Sequence, residues 1–240
     1  MVLFVFSRID DSGPVIMERI VYILSGGHVK DMAFLREKLR EDAEKPCLIC
    51  ADGGARHLHA LGMVPKAIIG DMDSLDQGLQ NDFARKGAEI ITYPNRKDET
   101  DTQLALEYAF SLNPKAIRIF GALGGRIDHT LANLSLLVVG AKRGIETKVI
   151  DPYCEVFVIE KDCVIEGKPG QTISLLPIST VVAGINLSGF EYPLTDGTME
   201  IGRPYGISNR LAASKAIVSI ASGYLLVIHY SKAGIFPEGE

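Results

Sequence analysis

The sequence predicts an α/β N-terminal domain with a mainly parallel sheet, followed by an all-β antiparallel sandwich domain. Three observations carry that expectation. From residue 20 to about 151, short β-branched apolar runs alternate with helical segments across Gly- or Asp-rich junctions, the pattern of a parallel sheet with right-handed crossovers. Beyond residue 152, apolar runs follow one another with turn residues between them and no convincing helix, as in an antiparallel sandwich or barrel. With 240 residues, 47% hydrophobic and 23% charged, the chain can bury a core as one large or two smaller domains, and its composition is that of an ordinary soluble protein. The expected division is 17–152 and 153–240. Residues 1–16 fit neither part and are read equally as an upstream extension or as a short edge strand built on VLFVF.

The strands of the first part are taken in order as IVYIL (20–24), CLICA (47–51), AIIG (67–70), EIITY (89–93), AIRIF (116–120) and TKVID (147–151). Cys47 and Cys50 lie in the second of these runs. Positions i and i+3 of a strand face opposite ways, so the C-x-x-C is expected to be two inert core thiols rather than a metal or redox pair. Between the fourth and fifth strands, Leu104, Ala105, Tyr108, Ala109 and Leu112 recur at helical spacing, and Thr100 with Gln103 matches a capping box. In the second part the runs are EVFVIE, QTISLLPI, AIVSIAS and YLLVIHY, separated by turn residues such as Gly167, Pro169, Gly170, Gly189, Gly197 and Gly223. Cys154 and Cys163 are spaced for a hairpin pair, but a reducing compartment favours two free thiols.

Charge and length exclude several functions. The net charge is −5, from 30 acidic and 25 basic side chains, and no Lys/Arg block supplies the basic face that nucleic-acid binding needs. No apolar run approaches the ~18–20 residues of a bilayer span. VLFVF lacks the length and basic flank of a signal peptide, so the expected location is the cytoplasm.

In an open parallel sheet, ligands bind outside the carboxyl ends of the strands. The segments that follow the first five strands are Ser25-Gly26-Gly27, Asp52-Gly53-Gly54, Asp71-Met72-Asp73-Ser74, Lys97-Asp98-Glu99-Thr100-Asp101 and Gly121 to Asp128. A shared edge would bring Asp52, Asp71, Asp73, Asp98 and Asp101 together. Two carboxylates ~4 Å apart repel by about 4 kcal/mol at an effective dielectric of ~20, and a divalent cation relieves that repulsion. Oxygen ligands without nearby His or Cys favour Mg²⁺ over zinc. Taken singly, Asp98 and Asp101 are also ordinary helix-capping acids, and Asp71 and Asp73 ordinary loop acids.

The loop GALGGRIDH is the phosphate candidate. Its glycines leave backbone N–H groups open, a helix beginning near His129 offers its positive end, and Arg126 can fork onto phosphate oxygens. It is not a Walker A motif, because Arg126 stands where that motif needs glycine, and no G-x-G-x-x-G occurs. His57 and His59 are expected to pack on a helix, and His229 lies in a late strand. No Ser/His/Asp or Cys/His arrangement supports covalent catalysis.

The stretches ADGGARHL (51–58), GDMDSL (70–75), KDETDTQLAL (97–106), GALGGRIDHTLANL (121–134) and GISNRL (206–211) resemble, in this order, the motifs of the thiamin pyrophosphokinase family. The resemblance implies an α/β nucleotide- and Mg²⁺-binding domain, a β-sandwich thiamin-binding domain and a homodimer with a shared active site. The implied reaction moves the pyrophosphoryl group of ATP to the hydroxyethyl group of thiamin and releases AMP. Carried over by motif, Asp71, Asp73 and Asp98 would hold Mg²⁺, with Asp101 beside them. Arg126 and Asp128 would face the phosphates and the reacting oxygen, with Asp98 or Asp128 as the proton acceptor. Asp52, Gly53, Gly124, Gly125 and His129 would line the nucleotide pocket, and Ser208 and Asn209 would contact thiamin. Two departures stand out: Arg210 follows Ser-Asn where the family often has an acid, and the chain has no Trp to stack on thiamin, which leaves Tyr192 or Tyr205. The rival classes are a Mg²⁺-dependent phosphohydrolase and a non-catalytic nucleotide or thiamin sensor.

Overall fold

A computed structural model describes residues 17–41, 46–96 and 98–231, so the expectation for residues 1–16 lies outside the described residues. The first part alternates as expected: β1 (Met17–Leu24), α1 (Met32–Lys38), β2 (Cys47–Ala51), α2 (Ala55–Leu61), β3 (Ala67–Gly70), α3 (Gln77–Arg85), β4 (Glu89–Thr92), α4 (Asp101–Ser111), β5 (Pro114–Phe120), α5 (Ile127–Lys142) and β6 (Glu146–Ile150). Local chemistry starts three of these helices. Asp31, Asp76 and Thr100 accept from the backbone N–H three residues on, at 2.8, 2.9 and 3.2 Å, which satisfies donors that a helix start leaves open.

The strands pair in the order β6-β5-β1-β2-β3-β4, all parallel. Alternate residues face opposite layers. Val21, Ile23, Ile49, Ile69, Ile117 and Ile119 pack under α4 and α5, while Tyr22, Leu24, Leu48, Ile68 and Phe120 pack under α1, α2 and α3. Cys47 belongs to the first layer and Cys50 to the second, and both are free and buried, as their spacing requires. The chain leaves β1 toward β2 on one side, and β5 returns on the other. The sheet therefore has its topological switch point between β1 and β5, where ligand crevices form.

Antiparallel pairing begins with β7 (Cys154–Ile159) against β6. The second part continues through β8 (Cys163–Glu166), β9 (Thr172–Pro177), β10 (Val181–Ser188), β11 (Leu194–Glu200), β12 (Asn209–Arg210), β13 (Lys215–Ser219) and β14 (Leu225–Tyr230). One layer of the sandwich, β12-β9-β14-β7, extends the parallel sheet into a single ten-stranded sheet, and the other is the four-stranded sheet β11-β10-β13-β8. Ile173, Leu175, Val182, Ile185, Val218 and Val227 fill the space between them. The sequence expected Gly197 to be a turn, and here the structure corrects it. Gly197 lies within β11, where a Cβ would come 2.3 Å from the Leu194 side chain. Cys154 and Cys163 are free thiols. No helix among the described residues is long and apolar enough to cross a membrane.

Candidate active site

A cleft of about 570 Å³ opens over the carboxyl ends of β1, β2, β3 and β5, spanning the switch point. One wall is the Ser25–Gly27 segment, tied to the loop after β5 by the Ser25 N–H to the Phe120 carbonyl at 2.8 Å and the Gly27 N–H to the Gly121 carbonyl at 3.0 Å. His57 of α2 hydrogen-bonds the Gly27 carbonyl through Nε2 at 2.9 Å. Burial holds the His57 imidazole below its ordinary pKa, so the neutral ring donates this bond at neutral pH. Beneath this wall the buried hydroxyls of Ser25 and Thr102 meet at 2.7 Å and join β1 to the start of α4.

The acidic wall is built on β2, β3 and α4. Asp52 follows β2 directly, in a 3₁₀ turn over Asp52–Gly54, with φ +35° and 3% exposure. Its Oδ2 accepts from the Ser74 N–H at 3.1 Å, while its Oδ1 is buried with no hydrogen-bond partner. Burial pushes the Asp52 carboxyl above its ordinary pKa; hydrogen bonds from Ser74 pull it down, and the charges of Asp101 and Asp73 push it up again. Asp52, Asp71 and Asp101 each present one carboxylate oxygen, all within 4.8 Å of one another. Gly70 makes this approach geometrically feasible, because a Cβ there would lie 2.8 Å from the Asp52 Cβ and 3.1 Å from the Asp101 carboxyl carbon. An oxygen-only donor set with one unpartnered buried oxygen suits a hard divalent cation.

The third wall is the loop Gly121–Arg126. Gly124 and Gly125 adopt φ of +90° and +61°, conformations that favour glycine. The Gly124 N–H is not open, since it donates to Thr130 Oγ1 at 3.2 Å. Arg126 caps α5 with no side-chain cap bond and grips Asp128 in a two-pronged pair, Nε to Oδ1 at 3.1 Å and Nη2 to Oδ2 at 2.5 Å. The guanidinium holds Asp128 down to about 2 and is itself raised by the pair.

The cleft thus gathers Asp52, Gly53, Asp71, Asp101, Gly124, Gly125, Arg126 and His129 from the sequence-derived set. Asp52, expected at the border of the pocket, is the buried member of the three-carboxylate group. Asp73 is exposed and accepts from the Ser74 hydroxyl at 3.1 Å. Asp98 is exposed in the bend ahead of the Thr100 cap, and neither it nor Asp73 belongs to the three-carboxylate group. Ser208 and Asn209 lie in the second part, at the β12 edge. Sequence reasoning missed Thr102, Asn95 and Asn133, which also line the cleft, as does Glu99 of the acidic segment after β4. Asn133 is buried and its Nδ2 donates to the Ala122 carbonyl at 2.9 Å, pinning the glycine loop. Its spacing of four from His129, on one helix face, is the signal that could have found it.

Fold and cleft together define a class: an α/β protein with a carboxylate- and glycine-lined crevice at its switch point, joined through a continuous sheet to an antiparallel sandwich. Residues 40–149 match the family model described as thiamin pyrophosphokinase, catalytic domain, and residues 158–225 that described as thiamin pyrophosphokinase, vitamin B1 binding domain. The chain belongs to the thiamin pyrophosphokinase family. It is 35% identical over 187 residues to the thiamine pyrophosphokinase of Bacillus subtilis (strain 168), covering 75% of this chain and 85% of that one. It is 28% identical over 222 residues to thiamine pyrophosphokinase 1 of Arabidopsis thaliana, covering 78% and 79%. The crystal structure of the Bacillus subtilis protein superposes with a TM-score of 0.77 at 29% identity, over 89% of this chain and 100% of that one. That of the Geobacillus thermodenitrificans thiamin pyrophosphokinase gives 0.77 at 30%, over 90% and 100%.

Proposed function

We propose that this chain transfers the pyrophosphoryl group of ATP to the hydroxyl of thiamin, giving thiamin diphosphate and AMP. The observation that carries the proposal is the gathering of Asp52, Asp71 and Asp101 beside a glycine loop at the switch point, within a chain whose relatives are thiamin pyrophosphokinases. Residues 17–152 take the nucleotide and residues 153–240 the thiamin. Mg²⁺ is the cation the three carboxylates suit; Asp73 lies two residues beyond Asp71 on the same loop, and Asp98 three residues ahead of Asp101. When bound, the ion neutralises charge on the phosphate oxygens.

The residues divide the remaining work. The β-phosphorus of ATP is attacked by the thiamin hydroxyl oxygen; the new P–O bond forms as the bond from that phosphorus to the AMP oxygen breaks, and the hydroxyl proton passes to a carboxylate. Arg126 trades its pair with Asp128 for a fork onto phosphate oxygens, which frees Asp128 to face the reacting hydroxyl. Gly27, Gly124 and Gly125 let the backbone approach the phosphates closely, and His57 and Asn133 hold those loops in place. A second copy completes the site. Ile127 and Leu131, one helical turn apart beside Arg126, are 77% and 60% exposed, an apolar stripe that suits a covering partner.

Incubation with ATP, thiamin and Mg²⁺ tests the proposal. AMP and thiamin diphosphate are expected in equal amounts, with no turnover once the metal is chelated. ADP with thiamin monophosphate, or phosphate released without thiamin, contradicts it.

A further inference from the structure

A nucleotide brings anionic oxygens, so a cleft that takes one works by presenting hydrogen-bond donors to them. Several backbone donors of this cleft are already in use. The Ser25 N–H bonds the Phe120 carbonyl, the Gly27 N–H the Gly121 carbonyl, the Gly124 N–H the Thr130 hydroxyl and the His129 N–H the Asp128 carboxylate. Ionised, the carboxylates of Asp52, Asp71 and Asp101 are acceptors only. A phosphate approaching them is repelled, and a neutral donor beside them offsets part of that repulsion.

One pair of side chains supplies such a donor. Ser25 follows β1 and Thr102 is the second residue of α4; both line the cleft, and they are 5% and 6% exposed. Their hydroxyls meet at 2.7 Å, and either oxygen can be the donor. A hydroxyl carries one proton, so the bond between the two uses one proton of the pair and leaves the other. Among the described residues neither side chain makes a further hydrogen bond. One O–H is therefore uncommitted at a buried position on the cleft wall. Its neighbours in the chain define its place: Ser25 leads into Gly26-Gly27, and Thr102 follows Asp101 of the carboxylate group. The spare donor sits where the glycine wall meets the acidic wall.

We propose that the Ser25–Thr102 pair acts as a single hydroxyl donor to a phosphate oxygen of the bound nucleotide, the two side chains sharing the role because either can carry the free proton. This rests on the pyrophosphoryl transfer proposed above and names a further phosphate-binding group of that site. The pair gives the phosphate a hydrogen bond without placing a second cation beside the acids that hold the metal.

Sharing has a signature that packing alone lacks. Ser25→Ala or Thr102→Val leaves a buried hydroxyl without its partner, which lowers stability, yet a hydroxyl still faces the cleft. The double variant replaces both partners by apolar groups of similar shape, which is close to neutral for stability, and it removes the donor altogether. Melting curves are therefore expected to place both single variants below wild type and the double variant near it. ATP affinity by calorimetry and kcat/KM for ATP should run the other way: each single variant loses roughly threefold and the double roughly a hundredfold, while Thr102→Ser stays close to wild type. The KM for thiamin, and the Mg²⁺ concentration for half-maximal activity at saturating ATP, should not move. Should the double variant not fold, Ser25→Ala with Thr102→Cys, whose thiol is a weak donor, takes its place. Losses in the double variant no larger than the product of the single losses, or a raised Mg²⁺ requirement, overturn the inference while the reaction stands. If wild-type protein binds ATP but forms no thiamin diphosphate, the reaction falls and the calorimetry alone decides the inference; if it binds no ATP, both fall.

Discussion

Asp52 is destabilised by its own surroundings: its carboxyl is buried, one oxygen has no donor, and neighbouring acids raise its proton affinity further. A site of this kind trades stability for function. Asp52→Asn is therefore expected to leave the melting temperature unchanged or raised while turnover falls by ~10²–10³, the usual loss when a group that stabilises developing charge is removed. Asp101→Asn should lose a similar factor, and Asp98→Asn, outside the carboxylate group, should retain most of the activity. Steady-state kinetics beside thermal melts of the three variants check this; equal losses at Asp98 and Asp101 would show that the loaded site draws Asp98 in. The candidate acids were legible in the sequence because each follows a strand. Which three converge was not, because that depends on the Gly70 backbone and on a 3₁₀ turn that no periodicity announces.

Strands β1, β2, β3 and β5 could be read directly, since buried parallel strands are continuous β-branched runs, and β4 at the sheet edge was legible from its Ile90-Ile91 pair although none of its residues is buried. β10 and β11 could not. β10 carries Gly184 at φ +66° where its register to β11 shifts, and β11 is a largely exposed edge strand containing Asp196 and Gly197. Both read as turns. Two predictions belong to this scale. Gly70→Ala at the end of β3 should drive Asp52 and Asp101 apart, raising the Mg²⁺ concentration needed for half-maximal activity by about tenfold or more with circular dichroism unchanged; an unaltered metal requirement would disconnect β3 from the ion. The second concerns α2 and its strut to the Gly27 loop. Because the folded state lowers the His57 pKa, the unfolded chain binds more protons as pH falls through about 6.5, so that share of stability is present above this value and lost toward the lowered folded pKa. Melting curves of His57→Gln should accordingly fall less steeply than wild type between pH 7.5 and 5.5, and parallel slopes would remove His57 from the balance.

Across the whole molecule, one ten-stranded sheet runs from the β4 edge, past the carboxylates, to the β12 edge that carries Ser208 and Asn209. This continuity was hidden in the sequence, where the change from alternating to consecutive strands suggests a break rather than a shared sheet. A twofold dimer would set one subunit's β12 edge against the other's cleft. After subunit exchange, an equal mixture of Asp101→Asn and Ser208→Tyr proteins, each inactive alone, should then recover roughly a quarter of wild-type activity, because half the dimers are mixed and each holds one intact site. Continued inactivity despite verified exchange would place the site within one subunit. The central claim is attack at the β-phosphorus, and ATP labelled at that phosphorus tests it most directly. With thiamin and Mg²⁺ present, all transferred label should appear in thiamin diphosphate and none in the nucleotide product, whereas label retained in ADP or released as free pyrophosphate would contradict the assigned reaction.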